Sequence, residues 1–574
     1  MRKLFKYIKP YKVSAILSPI FMMVEVAVDI LIPFLMTYVV DIGIKNSDIN
    51  YVLKIGLLMV AIAIVGMVAG TLSAYCGSRA GYGFSAEVAR ATFRKIQSFS
   101  FANLDNLPPA TLITRLTNDC NTLGNVMMMS LRLAVRAPLI MIFAFVMTLT
   151  INARLARIFI IMIPLMIAVL TLILMKVEPI FVTIQTKVDN LNAVIQENLK
   201  GIKVLKSFNR YDYTNERFEV KNRDILDMSM KAITIVVLIM PFVNIMIYAC
   251  IVIVLWFGAG HVLSGDMKYG ELITFVTYIT QILFSLVMVA MYFLSLLRGI
   301  ASAKRINEVL NEESDIVNPE NPVMSLEDGS IEFRDVFFRY RKDGDDELKN
   351  INLKVESGSF LGIIGSTGSS KSTLVQLLPR IYDTTEGEVI VSGKNVKEYD
   401  LKVLRDEIAF VLQKNLLFKG TIRSNMLWGK KDATDQEIIW ALKKACAWEF
   451  VSKYEDTIDH AVEQEGANFS GGQRQRLCIA RALIKRPKII ILDDSTSAVD
   501  MTTDAQIRKT FKEELGGITT ILIAQRISSV KDCDKIIVME NGEIESVGIH
   551  EELLEKSKVY NEIYESQQKG VITE

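Results

Sequence analysis

A glycine-rich loop directly after an apolar stretch is the feature that most constrains how this chain can fold. The loop, GSTGSSKST, runs from Gly365 to Thr373, and the apolar stretch runs from Phe360 to Ile364. A buried strand, a glycine-rich turn and a helix start surround a phosphate group with backbone N–H groups. Lys371 adds a positive charge, and the Ser372 hydroxyl group suits Mg²⁺. The predicted contact residues of this nucleotide phosphate site are Gly365, Ser366, Thr367, Gly368, Ser369, Ser370, Lys371, Ser372 and Thr373.

Length and composition indicate two different halves. The chain has 574 residues, which is more than one hydrophobic core usually supports. Hydrophobic residues make up 51% of the chain and the mean hydropathy is +0.30, with the apolar excess in the first half. A net charge of +1 gives no reason to expect nucleic acid as a partner. The six cysteines form no CxxC pair, so neither a zinc site nor a disulfide framework is indicated.

Six stretches in the first half are long and apolar enough to cross a lipid bilayer as helices. Lys and Arg concentrate in the two long polar connections between them, which favours a cytosolic location for these connections. The basic start Met1–Lys12 predicts a retained, cytosolic N-terminus. We therefore predict a multi-pass protein of the cell membrane whose N-terminus and second half are cytosolic. The predicted spans are Val13–Val39, Val52–Tyr75, Leu131–Ile151, Ile158–Met175, Ile233–Phe257 and Leu272–Leu297.

The boundary between the halves follows from a polar stretch broken by proline. Asn311–Asp315 and Asn318–Pro322 are polar, and the second contains two prolines, as is typical of a linker. From Ile331 onward, short β-rich stretches alternate with helical ones. We therefore predict a transmembrane domain over residues 1–300, a linker over 301–328 and an α/β nucleotide-binding domain over 329–574.

Further motifs in the second half occur in the order that ATP-binding cassette (ABC) exporters require, and the chain resembles this family over nearly its whole length. Phe469–Gln473 resembles the family's signature, with Phe469 where leucine is usual. Ile489–Asp493 is apolar and ends in a carboxylate, and Ser497–Asp500 resembles the loop that crosses between two cassettes. The resemblance implies a type IV (also called type I) exporter: a six-span α-helical transmembrane domain followed by an α/β P-loop ABC ATPase domain. It also implies ATP and Mg²⁺ as cofactors and a second half-transporter chain as partner.

The resemblance assigns roles to individual residues. Tyr340 matches the aromatic residue that stacks on adenine, and Gln413 matches the glutamine that touches Mg²⁺. Ser372 and Asp493 match the other residues at the metal. The residues that match those facing the γ-phosphate bound by the opposite chain are Ser470, Gly471, Gly472 and Gln473.

The resemblance also implies short coupling helices in the two long internal connections. These helices transmit motion between the ATPase domains and the membrane. The stretches that resemble them are Leu112–Asp119 and Phe208–Tyr213.

Three residues depart from the family pattern within one nucleotide site. Ser370 replaces a glycine before Lys371, Asp494 replaces the catalytic glutamate, and Gln525 replaces the switch histidine. Because an aspartate is one methylene shorter, it would misplace the attacking water, and a shift of about 1 Å can cost roughly 100-fold in rate. This pattern resembles the degenerate-site subunit of heterodimeric bacterial multidrug exporters. The alternative is a homodimer that tolerates Asp494 and Gln525 and is active.

Ionisable residues within the predicted spans mark a candidate substrate path. Glu25 and Asp29 lie one turn apart in the first span, and Arg132 and Arg136 lie one turn apart in the third. Glu25 and Arg136 have similar depths and form a candidate ion pair. Asp29 has no obvious basic partner, so we expect it to meet cationic substrates.

A polar and aromatic stripe in the sixth span is a second part of this path. Its residues recur at helical spacing, which predicts that they face protein or water. Packing between helices is the alternative interpretation. In the fifth span, Pro241 predicts a bend near Asn244 and Tyr248. The stripe consists of Thr274, Tyr278, Gln281, Ser285, Met288 and Tyr292.

These features favour an ATP-driven exporter of amphiphilic small molecules that works as a heterodimer. A lipid or peptide translocator of the same architecture is one alternative. A regulatory membrane protein that binds ATP without transporting anything is another. The nearly intact signature argues against the regulatory protein, because a signature is useful only opposite an active phosphate loop.

Overall fold

The computed structural model describes residues 2–341, 343–494 and 500–572. The chain divides into two compact units. The first consists of Met1–Gln97 and Pro109–Glu312, and the second consists of Ser98–Pro108 and Glu313–Glu574. The second unit therefore includes the short segment Ser98–Pro108, which connects two parts of the first unit along the chain.

Among the described residues, six helical stretches are long and apolar enough to cross a membrane. Each contains one predicted span and extends beyond it, so the six-span prediction is confirmed. The extensions are further helical turns, and several of the six stretches consist of more than one helix. The six stretches are Lys3–Ile44, Ile49–Gln97, Pro109–Asn152, Leu155–Lys200, Tyr211–Leu263 and Tyr269–Asn311.

Among the described residues before Glu312 there are ten α-helices, and a 3₁₀ helix, Arg2–Tyr11, comes before them. Two of the short helices, α4 and α7, lie in the connections between long ones, and α3 belongs to the second unit. The helices are α1 (Lys12–Tyr38), α2 (Ile49–Gln97), α3 (Phe101–Asn106), α4 (Pro109–Thr114), α5 (Cys120–Asn152), α6 (Ile158–Lys200), α7 (Ile202–Phe208), α8 (Tyr211–Val237), α9 (Ile239–Leu263) and α10 (Tyr269–Asn311).

Helix α10 provides the centre of the apolar core of the first unit. Phe275, Tyr278 and Ile282 on this helix are fully buried. Helices α1 and α2 approach closely because small residues of α2 face α1. A Cβ atom added at Gly66 would lie 2.7 Å from Cγ1 of Val28, so a larger residue there would push the helices apart.

The described part of the second unit contains two larger sheets and a two-stranded one. The antiparallel sheet has the order β2-β1-β4-β5, and the six-stranded sheet has the order β12-β11-β3-β10-β9-β6. The strands are β1 (Ile331–Phe338), β2 (Leu348–Val355), β3 (Phe360–Gly365), β4 (Glu386–Val391), β5 (Lys394–Asn395), β6 (Ile408–Val411), β7 (Gly420–Thr421), β8 (Ala461–Val462), β9 (Ile489–Asp493), β10 (Thr519–Ile523), β11 (Lys535–Glu540) and β12 (Glu543–Gly548).

Helices of the second unit alternate with these strands, as the α/β prediction requires. Helix α11 is short and follows the phosphate loop, and α16 follows the signature. The helices are α11 (Lys371–Gln376), α12 (Leu401–Glu407), α13 (Ile422–Met426), α14 (Asp435–Lys444), α15 (Trp448–Val451), α16 (Gly471–Leu483), α17 (Met501–Lys509), α18 (Ile527–Val530), α19 (His550–Lys556) and α20 (Lys558–Ile572).

Parallel pairing brings three chemically important chain segments to one edge of the six-stranded sheet. Strand β10 pairs with β3 through Ile523 and Ile363, and with β9 through Ile523 and Asp493. The loops that follow these three strands therefore start side by side at the carboxyl ends of the strands. Ligands of open α/β sheets bind in this position.

Candidate functional site

The phosphate loop wraps around the side chain of Lys371. Its Nζ atom donates to the carbonyl oxygens of Gly365 and Ser366 at 3.0 and 2.7 Å, and to Oγ of Ser369 at 3.2 Å. Burial lowers the pKa of Lys371, while the carboxylates of Asp493 and Asp494 act in the opposite direction. The loop thus holds one ammonium group at the end of β3, where a phosphate group would need it.

Ser370 takes the backbone conformation that glycine favours. Its φ is 63° and its ψ is 25°, in the left-handed region that costs a residue with a side chain about 1–2 kcal/mol. The side chain does not fill the loop. Its Oγ atom donates to Oε2 of Glu347 at 2.9 Å. The departure from glycine therefore acts through backbone strain and through a contact with Glu347.

Two oxygen ligands suited to Mg²⁺ meet at the start of α11. Oγ of Ser372 donates to Oδ1 of Asp493 at 2.9 Å, and Asp493 is 4% exposed. Burial raises the pKa of Asp493, and the neighbouring Asp494 carboxylate adds to this increase. Mg²⁺ prefers oxygen ligands, so this pair fits the metal that normally accompanies a bound nucleotide. Two of the three residues predicted to contact the metal, Ser372 and Asp493, are therefore brought together.

Asp494, in the place of the catalytic glutamate, is held by two glutamine side chains. Nε2 of Gln525 donates to Oδ2 of Asp494 at 2.7 Å, and Nε2 of Gln413 donates to the same atom at 3.5 Å. The Asp494 N–H donates to the carbonyl of Ile523 at 3.0 Å. Burial raises the pKa of Asp494, and the two glutamine amides partly offset that increase. The carboxylate thus lies beside the metal residues, with one oxygen already occupied.

Tyr340 offers an aromatic face near the phosphate loop. It is 43% exposed, and its hydroxyl group lies 3.0 Å from Oγ1 of Thr373. The rings of Phe338 and Tyr382 pack edge-on against it, with centroids at 4.9 and 5.2 Å. A fixed and partly exposed ring is suited to stacking on a planar base.

The signature forms the N-terminus of α16. The Ser470 N–H donates to Oε1 of Gln473 at 2.9 Å, and Oγ of Ser470 accepts from the Gln473 N–H at 3.3 Å. This capping box leaves the first-turn N–H groups of Gly471 and Gly472 available to an anion. Of the predicted crossing loop, Ser497, Ala498 and Val499 lie outside the described residues. Asp500 caps α17 by accepting from the Thr503 N–H at 2.9 Å.

Comparisons with known proteins agree with this architecture. The family described as the ABC transporter transmembrane region matches residues 15–300, and the family described as ABC transporter matches residues 348–497. The chain is 35% identical to YfiB of Bacillus subtilis (strain 168), named an uncharacterized ABC transporter ATP-binding protein, over 99% of this chain and 98% of that protein. The chain belongs to the ABC exporter half-transporters.

Further relatives support this membership. The uncharacterized ABC transporter ATP-binding protein Rv1273c of Mycobacterium tuberculosis (strain ATCC 25618 / H37Rv) is 33% identical over 98% of this chain and 97% of its own. The structure of a bacterial Atm1-family ABC exporter with ATP bound superimposes with a TM-score of 0.81. That structure is 22% identical and covers 97% of this chain and 98% of its own, so it shows the fold alone. This half-transporter is a multi-pass membrane protein of an ATP-driven exporter, and exporters of this family function as dimers.

In the first unit of the exporter, one arginine forms ion pairs with both acidic residues of α1. Nη1 of Arg136 donates to Oε1 of Glu25 at 2.6 Å, and Nη2 donates to Oδ2 of Asp29 at 2.9 Å. The proposed pairing of Glu25 with Arg136 is present. The expectation that Asp29 lacks a basic partner is wrong, because the two terminal nitrogens of a guanidinium group reach carboxylates that lie one helical turn apart.

The polar stripe on α10 bonds to the backbone of α1. Tyr278 donates its hydroxyl to the Ile30 carbonyl at 2.8 Å, and Gln281 donates to the Asp29 carbonyl at 3.0 Å. Pro33 explains the second bond, because it lacks the N–H that would otherwise bond to the Asp29 carbonyl within the helix. These residues join two helices in this structure, so packing is the better interpretation of the stripe.

The other predicted path residues fall into a buried group and an exposed group. Thr274 donates to the Pro33 carbonyl at 2.8 Å, and Ser285 donates to Ile282 within its own helix. Both are 1% exposed, so the expectation that they line an open path is wrong for this structure. Tyr248 on α9 is 65% exposed, and Asn244 is also exposed.

The first predicted coupling stretch packs within the first unit of the exporter. Leu112–Asp119 belongs to the first unit, where its charged side chains bind α10: Asp119 accepts from Nε of Arg305 at 2.9 Å. The segment that belongs to the second unit is Ser98–Pro108. A coupling role stays a prediction for both Leu112–Asp119 and Phe208–Tyr213.

Sequence reasoning missed two contacts at the nucleotide site. Glu347 contacts Ser370 across 23 residues of chain, and the Tyr382 hydroxyl donates to Oδ2 of Asp105 at 2.9 Å across 277 residues. Neither has a local signal, because each depends on the pairing of distant elements. Tyr382 connects the segment Ser98–Pro108 to the ring of Tyr340.

Proposed function

We propose that this chain is one half of a heterodimeric exporter of amphiphilic small molecules. Its own phosphate loop contributes to a site that binds ATP and hydrolyses it slowly. The second site would pair this chain's signature with the phosphate loop, glutamate and histidine of a different chain. Activity of the pair would then depend mainly on that second site.

The bond from Gln525 to Asp494 supports the slow site most directly. A general base must be within reach of the proton that it removes and must be free to accept it. Here the shorter Asp494 side chain already accepts from Gln525 at 2.7 Å. A neutral glutamine also cannot supply the positive charge that a protonated histidine would bring to a γ-phosphate. Both changes act in the same direction, towards slow hydrolysis.

The geometry of the signature supports the second, faster site. Ser470 and Gln473 close the capping box of α16, as a working anion-binding helix start requires. Phe469 is 3% exposed and packs in the core, so its replacement of leucine does not project into the site. The signature is therefore suited to completing an active site with a partner.

We further propose that Glu25 and Asp29 favour cationic substrates. Both carboxylates line a cavity of about 540 Å³ between α1 and α2. They share one guanidinium group, and 32% of the Asp29 side chain is exposed. Export assays with a cationic dye and a neutral amphiphile test this. Asp29→Asn should lower export of the dye more than of the neutral compound, and an equal loss of both would make Asp29 a structural residue.

The experiment that tests the heterodimer measures ATPase activity with and without an exported drug. The chain would be purified alone and together with a half-transporter that has glutamate and histidine at the two positions. We expect weak activity from the single chain and drug-stimulated activity from the pair. Drug-stimulated turnover by the single chain at the rate of the pair would establish an active homodimer instead. A pair that hydrolyses ATP without drug stimulation or drug export would favour a regulatory protein.

A further inference from the structure

Glu347 occupies a defined position between the aromatic face of Tyr340 and the phosphate loop. Its N–H donates to the carbonyl of Phe338 at 2.8 Å, two residues before Tyr340. Its carboxylate accepts from Oγ of Ser370, inside the phosphate loop, at 2.9 Å. Glu347 is exposed, whereas the next residue, Leu348, is fully buried. The Glu347 side chain thus extends from the residue before β2 to the phosphate loop that follows β3.

The charge of Glu347 also acts on Tyr340. Burial is the main cause that raises the pKa of the Tyr340 phenol, and the carboxylates of Glu347 and Asp105 add to it. The hydrogen bond with Thr373 acts in the opposite direction. The carboxylate thus bonds to the phosphate loop and also influences the tyrosine beside which its backbone is held.

The covalent order of a nucleotide determines what lies at this position. The sugar connects the base to the phosphates, so a base on Tyr340 and phosphates on the loop place the sugar between them. The group that the protein offers there is an anionic acceptor. Carboxylates at the corresponding part of dinucleotide sites accept hydrogen bonds from ribose hydroxyl groups.

We propose that Glu347 is a specificity-determining residue that accepts hydrogen bonds from the ribose hydroxyl groups of the nucleotide. It gives this site a preference for ribonucleotides over deoxyribonucleotides. Ser370 is a positioning residue, because its hydroxyl donates to the carboxylate and holds it in place. Its backbone is left-handed in this arrangement. The inference concerns ATP binding by this chain alone and does not depend on the heterodimer.

A carboxylate at this position weakens the binding of the nucleotide phosphates, and this makes the inference testable. Its negative charge repels the phosphates of the nucleotide. If Glu347 served only as an acceptor for Ser370, removing its charge would strengthen the binding of every nucleotide equally. If it binds ribose, the same change would reduce the difference between ATP and its deoxy analogues.

The experiment measures equilibrium binding of Mg²⁺-ATP, Mg²⁺-2′-deoxy-ATP and Mg²⁺-3′-deoxy-ATP to the purified full chain. We expect ATP to bind about tenfold more tightly than at least one deoxy analogue, as for a hydrogen bond to a charged group. In Glu347→Val the affinity ratio should fall to about one, and in Glu347→Gln it should fall part of the way. Ser370→Gly should also lower the ratio without abolishing ATP binding.

Asp346→Asn is the matched control. Asp346 is the adjacent acid, but it pairs with Nε of Arg339 at 2.8 Å, so its variant should keep the ratio of the unmodified chain. Equal affinity of the unmodified chain for ATP and both analogues would overturn the proposal. A ratio retained in both Glu347→Val and Glu347→Gln would overturn it as well.

Discussion

Nε2 of Gln525 donates a hydrogen bond to Oδ2 of Asp494 at 2.7 Å. Both residues depart from the family pattern, and the structure shows that they contact each other directly. Their strands pair in parallel, since Ile523 of β10 lies opposite Asp493 of β9. The two departures therefore form one local unit, and their effects on hydrolysis should depend on each other.

Two substitutions in an assembled heterodimer distinguish the two sites. Gly471→Asp places a carboxylate at the start of α16, where the γ-phosphate bound by the partner would lie, and should remove most ATP turnover. Asp494→Ala affects only the slow site and should change turnover by less than about twofold. Steady-state ATPase rates provide the measurement. A larger loss in Asp494→Ala would assign the faster site to this chain's own phosphate loop.

Nucleotide at the slow site should remain as ATP through several cycles. Lys371, Ser372 and Asp493 are arranged to bind it, whereas Asp494 is engaged by Gln525. The measurement is the ATP-to-ADP ratio of radiolabelled nucleotide crosslinked to the phosphate loop of this chain after turnover. We expect mainly ATP on this chain and mainly ADP on the partner. Only ADP on both chains would show that the two sites hydrolyse alike.

Arg136 should stabilise the first unit more than either acid that it binds. Arg136→Met leaves Glu25 and Asp29 both without their ion pair and should cost about 1–3 kcal/mol, as for part-buried groups left without a hydrogen-bond partner. Glu25→Gln and Asp29→Asn each leave one ion pair, so each should cost less. Thermal unfolding in detergent measures the order.

Arg132→Met is the control for this series. Arg132 lies one turn before Arg136 and makes no ion pair among the described residues. Its variant should unfold near the temperature of the unmodified chain. If Arg136→Met were no less stable than Arg132→Met, the pairing with Glu25 and Asp29 would not matter for stability.

Tyr382 should connect the segment Ser98–Pro108 to the nucleotide site. Its hydroxyl donates to Asp105, and its ring packs against Tyr340. Tyr382→Phe keeps the ring and removes the hydroxyl, so we expect ATP binding to persist and drug stimulation of the ATPase to fall several-fold. Asp105→Asn should have a similar effect, and the double variant should add little to either one.

Tyr399→Phe controls for the loss of a tyrosine hydroxyl in the same unit. Tyr399 donates to the Val391 carbonyl at 2.8 Å and is fully buried in the core. It should retain drug stimulation even if its stability falls. Additive losses in Tyr382→Phe and Asp105→Asn would mean that the two residues act independently.

The features that the sequence predicted correctly are those encoded over short stretches of chain. The six spans depend on long runs of apolar residues, and the strand, loop and helix around Lys371 come from one continuous stretch of chain. The roles of the individual nucleotide and metal residues stay predictions. The failures concern partners chosen by packing. The expectation that Asp29 is unpaired fails because one guanidinium group bonds to two carboxylates. Depth along a helix does not reveal such a shared partner.

The stripe on α10 leaves two interpretations open at the level of sequence for a related reason. Its spacing correctly predicts one face, but the groups opposite that face belong to α1. The Asp29 carbonyl accepts from Gln281 because Pro33 cannot donate to it, and this follows only once the two helices are known to be neighbours. The contact between Ser370 and Glu347 likewise requires the pairing of strands.

The measurement that tests the slow site most directly is the ATPase rate of the purified chain alone, compared with its Asp494→Glu/Gln525→His variant. The double change restores the longer carboxylate and the switch histidine, and it removes the bond that holds Asp494. We predict slow turnover by the unmodified chain and a rate at least about tenfold higher in the double variant, with each single change giving less than half of that gain. Equal and fast turnover by both proteins would contradict a slow site in this chain.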